Sequence, residues 1–270
     1  MKLILSRKGF DSGSGGNPSP VLPDGTMLSL PIPESLGELG GAVAYEDIAA
    51  GPWGTMASVA HQLGVADRVL ARGAHLDPDL VADARPRRPG WCPSFGQAGA
   101  AAGHLANQGV GPGDLFVFWG LYRRTLAGEH GLMWDPASKP FHAVFGWMRI
   151  GAIFAPDQEP TPDWAYDHPH VVAPWRKNNA LYVANSPADA GILPWAEQRR
   201  LTRADGPLSC WELPADCHPN NSGAELTYHK DLERWTLGQD TTLLSTVGRG
   251  QEFVVEATDS WTSWARTMLL

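Results

Sequence analysis

The sequence predicts an α+β fold, a single domain over residues 1–270 in which a mixed β-sheet, barrel-like in one reading, is flanked by helices. Three observations predict it. Apolar runs within residues 2–6, at Leu115–Trp119 and over Phe141–Ile153 read as strands, the first two buried on both faces. Helical patterns fall between them, bounded by capping and stop residues. No repeat with a period of roughly 20 to 50 residues is visible, which excludes solenoids and propellers.

Taken in order, the opening strand empties into the loop Ser6–Pro20, rich in glycine, and Asp24-Gly25 marks a turn from which Met27–Ile32 returns as a short strand. Thr55 is placed to cap a helix over 56–63 that Gly64 stops. A second helix is expected over 96–107, built on Ala98, Ala100, Ala101, Ala102 and Leu105 and ended by Gly109. Tyr122–Pro140 reads as a polar connection, 155–179 as a loop containing DHPHVVAPW, and Ala180–Ala184 as a strand. Residues 186–249 form an irregular, insertion-like region. A last strand is expected at Gln251–Val255, then a helix capped by Asp259, with Trp261, Trp264 and Met268 on one face.

Composition narrows the function. The 270 residues carry a net charge of −8, are 43% hydrophobic and contain 30 Gly, 23 Pro and 12 Trp. No apolar run reaches the roughly 18 to 20 residues of a membrane span. An acidic chain exerts no general pull on a polyanion, so contact with nucleic acid requires a local basic site. Cys92, Cys210 and Cys217 form no disulfide framework, and Cys210, Cys217 and His218 read as isolated groups, not a zinc knuckle. Leu3–Leu5 is too short for a signal-peptide core and is followed at once by Arg7 and Lys8, so a cytoplasmic location is expected.

The N-terminal loop is the sharpest site candidate. Arg7 and Lys8 supply cations, Asp11 a carboxylate and Ser12 a hydroxyl, while Gly9, Gly15 and Gly16 let backbone N–H groups approach a phosphate. The spacing matches neither a Walker motif nor GxGxxG. His75, Asp77 and Asp79 combine an imidazole with two carboxylates, suited to acid–base or metal chemistry, although Asp77-Pro78 also suits a helix-initiating turn. Gln97 and His104 would share a helix face. His142 and Arg123 would meet at one end of the sheet if their strands pair, forming a phosphate clamp. His168 and His170 are a chelating pair without a marked third ligand, so no metal site is assigned, and no cofactor is specified. Trp53, Trp91 and Trp119 lie near polar loops, where a ring can stack on a base.

Four segments carry a resemblance: LSRKGFDSGSGGNPSPVLPDGTMLSLPIP at 5–33, HLDPDL at 75–80, GPGDLFVFWGLYR at 111–123 and FHAVFGWMRIG at 141–151. Together they resemble the bacterial family called nucleotide modification associated domain 3, which implies a context of DNA base modification and no established catalytic residues. Gly113-Asp114 and Gly146 to Gly151 are also similar to the barrel core of PUA-like domains of the EVE and ASCH groups, which bind modified bases or RNA.

The leading expectation is an accessory enzyme of nucleic-acid base modification, with other such enzymes as partners. Phosphate would rest on Arg7 and Lys8, the reacting base would face Asp11, Ser12, His75 or His104, and Asp11 would be general base or metal ligand. The rivals are a non-catalytic PUA-like reader, with Trp119 or Trp147 stacking on a modified base, and a protein whose charged loop docks a partner.

Overall fold

The computed structural model describes residues 1–34, 43–172, 178–248 and 252–270. Gln251, expected to open the last strand, and residues 173–175 of the histidine–proline loop lie outside them. The strands are β1 (Lys2–Arg7), β2 (Ser19–Val21), β3 (Ser94–Gln97), β4 (Leu115–Gly128), β5 (Gly131–Trp134), β6 (Phe141–Phe154), β7 (Ala180–Ala184), β8 (Ala190–Ile192), β9 (Cys210–Pro214), β10 (Trp235–Leu237), β11 (Thr241–Ser245) and β12 (Glu252–Glu256). The helices are α1 (Met56–Gln62), α2 (Asp67–Leu70), α3 (Gly99–Asn107), α4 (Pro169–Val172), α5 (Pro219–Ser222) and α6 (Asp259–Leu269).

A mixed sheet runs β12-β1-β4-β6-β7-β3, with β2 and β5 added to β4 and β8 to β6. Its path is open, so the barrel alternative gives way to a sheet that is not closed. β1 is parallel to β4, Leu3 facing Leu115 and Arg7 facing Trp119, and antiparallel to β12. Side chains alternate across the pleat, which explains why these runs are apolar throughout. Leu3, Leu5, Val117, Trp119, Phe253 and Val255 enter one core, shared with α6 and with the small sheet β10-β11-β9. Ile4, Phe116, Phe118 and Val254 enter the opposite core, with Phe95, Tyr182 and Leu105 of α3. A third cluster packs Phe10, Leu28, Leu30, Tyr45 and Ile48 against Val59 of α1.

α1 starts where the sequence places it. Thr55 Oγ1 accepts from the Ser58 N–H and Ser58 Oγ accepts from the Thr55 N–H, a reciprocal cap, and Gly64 follows the helix with φ of 79°. Other expectations are corrected. Gly96 and Gln97 belong to β3 and α3 starts at Gly99, because Phe95 is drawn among Phe116, Phe118 and Tyr182 while its backbone pairs with β7. Tertiary packing overrides the helical bias of this Ala/Gly segment. Met27–Ile32 forms only a bridge from Met27 to Val21, its other pairings being single bonds such as Phe10 N–H to Leu30 O at 2.9 Å. Tyr122–Pro140 is not loop throughout, since β4 continues to Gly128 and turns back as β5. The 186–249 region contains the small three-stranded sheet. Thr258, not Asp259, is the N-cap of α6, and Asp259 occupies the first turn, where its charge favours the helix end. No helix among the described residues is long and apolar enough to cross a membrane.

Candidate metal centre

Residues 74–79 run between two neighbours. The His75 N–H donates to Ile32 O at 2.9 Å, and Asp79 and Ser94 exchange backbone bonds at 2.9 and 3.0 Å. This pairing, with a cis peptide bond at Asp77-Pro78, replaces the helix-initiating turn expected there. It sets His75 beside Glu34 and turns Asp77 toward β3, where Asp77 Oδ1 accepts the Gly96 N–H at 2.7 Å. The short helix α4 delivers His170 to the same point, with His168 just before it, so the two histidines come from a helical turn instead of a strand. Gly96 is required: a Cβ there would overlap the His170 ring.

Three imidazoles face one carboxylate. The Nε2 atoms of His75 and His170 each lie 3.8 Å from Asp77 Oδ2, and His168 Nε2 lies 3.6 Å from Asp77 Oδ1. All of these side chains are less than a tenth exposed. One ligand atom from each of His75, Asp77 and His170 can be chosen so that all lie within 4.8 Å of one another. Four donors placed tetrahedrally at 2.0–2.1 Å around an ion are separated by roughly 3.4 Å, so these three would draw in by about an ångström or less to hold a transition-metal ion.

The outer contacts strengthen that reading. His75 Nδ1 lies 2.6 Å from Glu34 Oε2, and His170 Nδ1 lies 2.9 Å from Asn179 Oδ1. An oxygen on Nδ1 places the proton there and presents Nε2 as the ligand atom, the support found behind metal-binding histidines. Asn179 is itself fixed by donating to His170 O at 2.7 Å. His168 differs. Its Nδ1 accepts the His170 N–H at 3.2 Å, so the neutral ring carries its proton on Nε2, which has no hydrogen-bond partner among the described residues.

Electrostatics follow from burial and company. Burial opposes the charge on Asp77, yet the facing imidazoles of His168, His75 and His170 outweigh it and hold the carboxyl well below the usual range. Burial likewise disfavours protonated His75, but Asp77 and Glu34 prevail and raise it to about 9. His170 is pushed down to about 4, chiefly by burial.

The N-terminal loop has a different character. Arg7 pairs with Asp11 at 2.9 Å, and Asp11 Oδ1 accepts the Gly13 and Ser14 N–H groups at 2.7 Å each. Asp11 therefore shapes its own loop, and Ser12 is exposed. Lys8 Nζ lies 2.9 Å from Glu252 Oε1, in a pair whose side chains are 9% and 1% exposed, and Gln97 Nε2 donates to the same oxygen at 2.7 Å. Gly9 (φ 80°) approaches Ser29 and borders a small cavity that Asp77 also lines. Gly15 (φ 83°) covers the Phe10 ring, while Gly16 (φ 77°) is unobstructed.

Other expected groups are placed as follows. His104 Nε2 lies 3.3 Å from Thr227 Oγ1, with its ring 4.8 Å from Tyr228. It shares no helix face with Gln97, although the Glu252 carboxylate that Gln97 touches also raises the pKa of His104 against the dominant effect of burial. β4 and β6 do pair, but no phosphate clamp results. Arg123 donates to Ser138 O and Asp135 O at 2.9 and 3.1 Å, whereas His142 is buried and accepts from Trp211 Nε1 at 3.0 Å. Trp119 is buried against Trp211, Phe253 and His142, not open to a stacked base. Trp53 donates from Nε1 to Asp24 at 2.9 Å. Asp79 is bound on both oxygens by Arg87, at 2.5 and 2.6 Å.

The nucleotide modification associated domain 3 model matches residues 2–256, which include His75, Asp77, His168 and His170. The chain belongs to that family. Membership ties it to nucleotide modification at the level of the family's description. No match is found among curated proteins or among solved structures.

Sequence reasoning found His75, Asp77 and the His168/His170 pair separately but did not join them. Glu34 and Asn179, which bond the Nδ1 sides of His75 and His170, and Glu252, which neutralises Lys8, carried no motif. The usable signal was complementary: one segment offered His and Asp, and the other offered two histidines short of a further ligand.

Proposed function

We propose that this chain is an enzyme of nucleic-acid base modification that acts on a nucleotide or a DNA base at a divalent-metal centre formed by His75, Asp77 and His170. The observation that carries the reading is the pair of outer contacts, Glu34 on His75 and Asn179 on His170, which turn both Nε2 atoms toward Asp77 at 3.8 Å. A structural ion pair would close to hydrogen-bond distance; a ligand set keeps its donors apart around an ion. Two imidazoles and one carboxylate suit Zn2+, Fe2+ or Mn2+ and leave coordination positions for water and substrate. Such an ion supplies Lewis acidity, polarising a phosphoryl or carbonyl oxygen and lowering the pKa of bound water to about 7.

The chain's own residues have distinct parts. Gly96 N–H fixes Asp77, Gly96 gives room to His170, and His168 sets its Nε2 against Asp77 Oδ1, supporting the carboxylate's charge. Arg7 and Lys8 are committed to Asp11 and Glu252, which leaves substrate phosphate to other cations. The test is to load the purified chain with Zn2+, Mn2+ or Fe2+, incubate it with nucleoside monophosphates and with single- and double-stranded DNA, and analyse the products by mass spectrometry. A metal-dependent mass change that Asp77→Asn abolishes is expected. Absence of product with every metal, or full turnover by Asp77→Asn, would overturn the proposal.

A further inference from the structure

A second concavity lies beside the metal centre. Arg85, Arg87, Arg88, Trp91, Trp164 and Tyr166 line a cleft of about 170 Å3. Two of its arginines are tied to chain neighbours of the centre: Asp79, which holds Arg87, is two residues beyond Asp77, and Asp167, which holds Arg85 at 2.8 Å, directly precedes His168. In a chain of net charge −8, this is a concentration of cations on aromatic surface.

The three arginines are held in different ways. Arg87 is locked on both oxygens of Asp79 and lies flat against Trp91, its Cζ 4.4 Å from the ring centre. Arg85 reaches Asp167, but its Nε is buried without a hydrogen-bond partner among the described residues. Arg88 is exposed and stacks on Tyr166, with Cζ 3.3 Å from the ring centre. Its NH1 donates only to the Asp163 carbonyl, at 3.2 Å, and no carboxylate pairs with it among the described residues. The cleft thus combines an unneutralised guanidinium, an unsatisfied buried donor and the rings of Trp91, Trp164 and Tyr166.

We infer that this cleft binds one nucleotide unit of the substrate, its phosphate on Arg88 and Arg85 and its base stacked on the aromatic wall. A guanidinium is planar, always charged and forked to match phosphate oxygens, and flat rings accept any base on their faces. A simple anion would need the cations but not three rings, and an apolar ligand would need the rings but not the cations. The inference rests on the nucleotide reading of the metal centre and supplies the cationic site that Arg7 and Lys8 do not provide.

The test uses the full chain with two probes: a fluorescein-labelled mixed-sequence single-stranded DNA of about 16 nucleotides, followed by anisotropy, and deoxynucleoside monophosphates, followed by quenching of tryptophan emission. Arg88→Glu, at an exposed position, is expected to weaken binding at least tenfold. It is also expected to reduce the slope of log affinity against log salt by about one. Arg88→Lys should retain that slope while recovering only part of the affinity, and Trp164→Ala should weaken stacking without changing the slope. Quenching by monophosphates would identify a free nucleotide as sufficient, and binding of the oligonucleotide alone would identify the strand as the source; either supports the cleft. Wild-type affinity in Arg88→Glu, or no binding of either probe to the wild-type chain, would overturn it. Failure here is separable from failure of the metal reading: Asp77→Asn should lose metal and keep oligonucleotide affinity. A chain that binds nucleotide but no metal would sink the earlier proposal and leave this one standing.

Discussion

Two regions of this molecule are dense in charged groups, and they behave in opposite ways. At the tip of β1 the opposite charges are in contact: Arg7 with Asp11 and Lys8 with Glu252, both at 2.9 Å, with Gln97 completing the second pair. Around Asp77 the facing atoms stop at 3.6 to 3.8 Å, while the far sides of His75 and His170 are tied down at 2.6 and 2.9 Å. The first arrangement is already neutral and needs no guest. The second keeps its facing groups beyond hydrogen-bond distance, which is the basis of the proposed metal centre. A cluster of charged residues in a sequence therefore says less about function than how closely the folded chain lets them approach.

The largest effect expected from this contrast is at Asp77. Asp77→Asn should reduce divalent-metal affinity by more than the roughly 10- to 100-fold typical of losing an outer contact, because it removes a ligand charge. Calorimetric titration with Zn2+ measures it, and wild-type affinity in the variant would erase the distinction between the regions. Next in size is the Lys8–Glu252 pair. Lys8→Met leaves a carboxylate buried without its cation and should cost about 3 to 5 kcal/mol in urea unfolding, whereas Lys8→Met with Glu252→Gln should recover much of that loss. Metal affinity should be unaffected in the double variant, because neither residue touches the centre. Smaller again are the outer contacts: Glu34→Gln or Asn179→Ala should weaken metal binding by about 10- to 100-fold with little change in fold.

A pH effect sharpens the comparison from the structural side. Burial, aided by the charge of Arg7, depresses His142 to about 3. Unfolded, the same ring titrates near pH 6.5, so between these values the unfolded chain binds the additional proton. Its contribution to stability is complete above about pH 6.5 and is lost as pH falls toward 3. His142→Gln should flatten that part of the profile, measured as urea midpoints between about pH 7 and about pH 4; an unchanged profile would show that His142 does not carry it.

The sequence made the sheet legible where its residues face apolar surroundings on both sides, as in β1, β4 and β6, and it made α1 legible through Thr55 and Gly64. It misread Gly96 and Gln97, since a short Ala/Gly stretch has little intrinsic preference and the packing of Phe95 decides. The site was legible in pieces. His75, Asp77 and the His168/His170 pair each stood out by residue type, but their meeting depends on long-range pairing of residues 74–79 with 32–34 and with β3, which has no local signature. Lys8 pointed to phosphate because Glu252, which neutralises it, lies at the other end of the chain, and Arg7 because its pairing with Asp11 depends on how the loop closes.

The most direct measurement is the visible spectrum of the chain titrated with Co2+, an ion that occupies Zn2+ sites and reports its ligands. A new absorption that saturates at one Co2+ per chain, and is missing in both Asp77→Asn and His170→Ala, is the result the account predicts. A spectrum that stays that of aqueous Co2+ throughout the titration of the wild-type chain would contradict it.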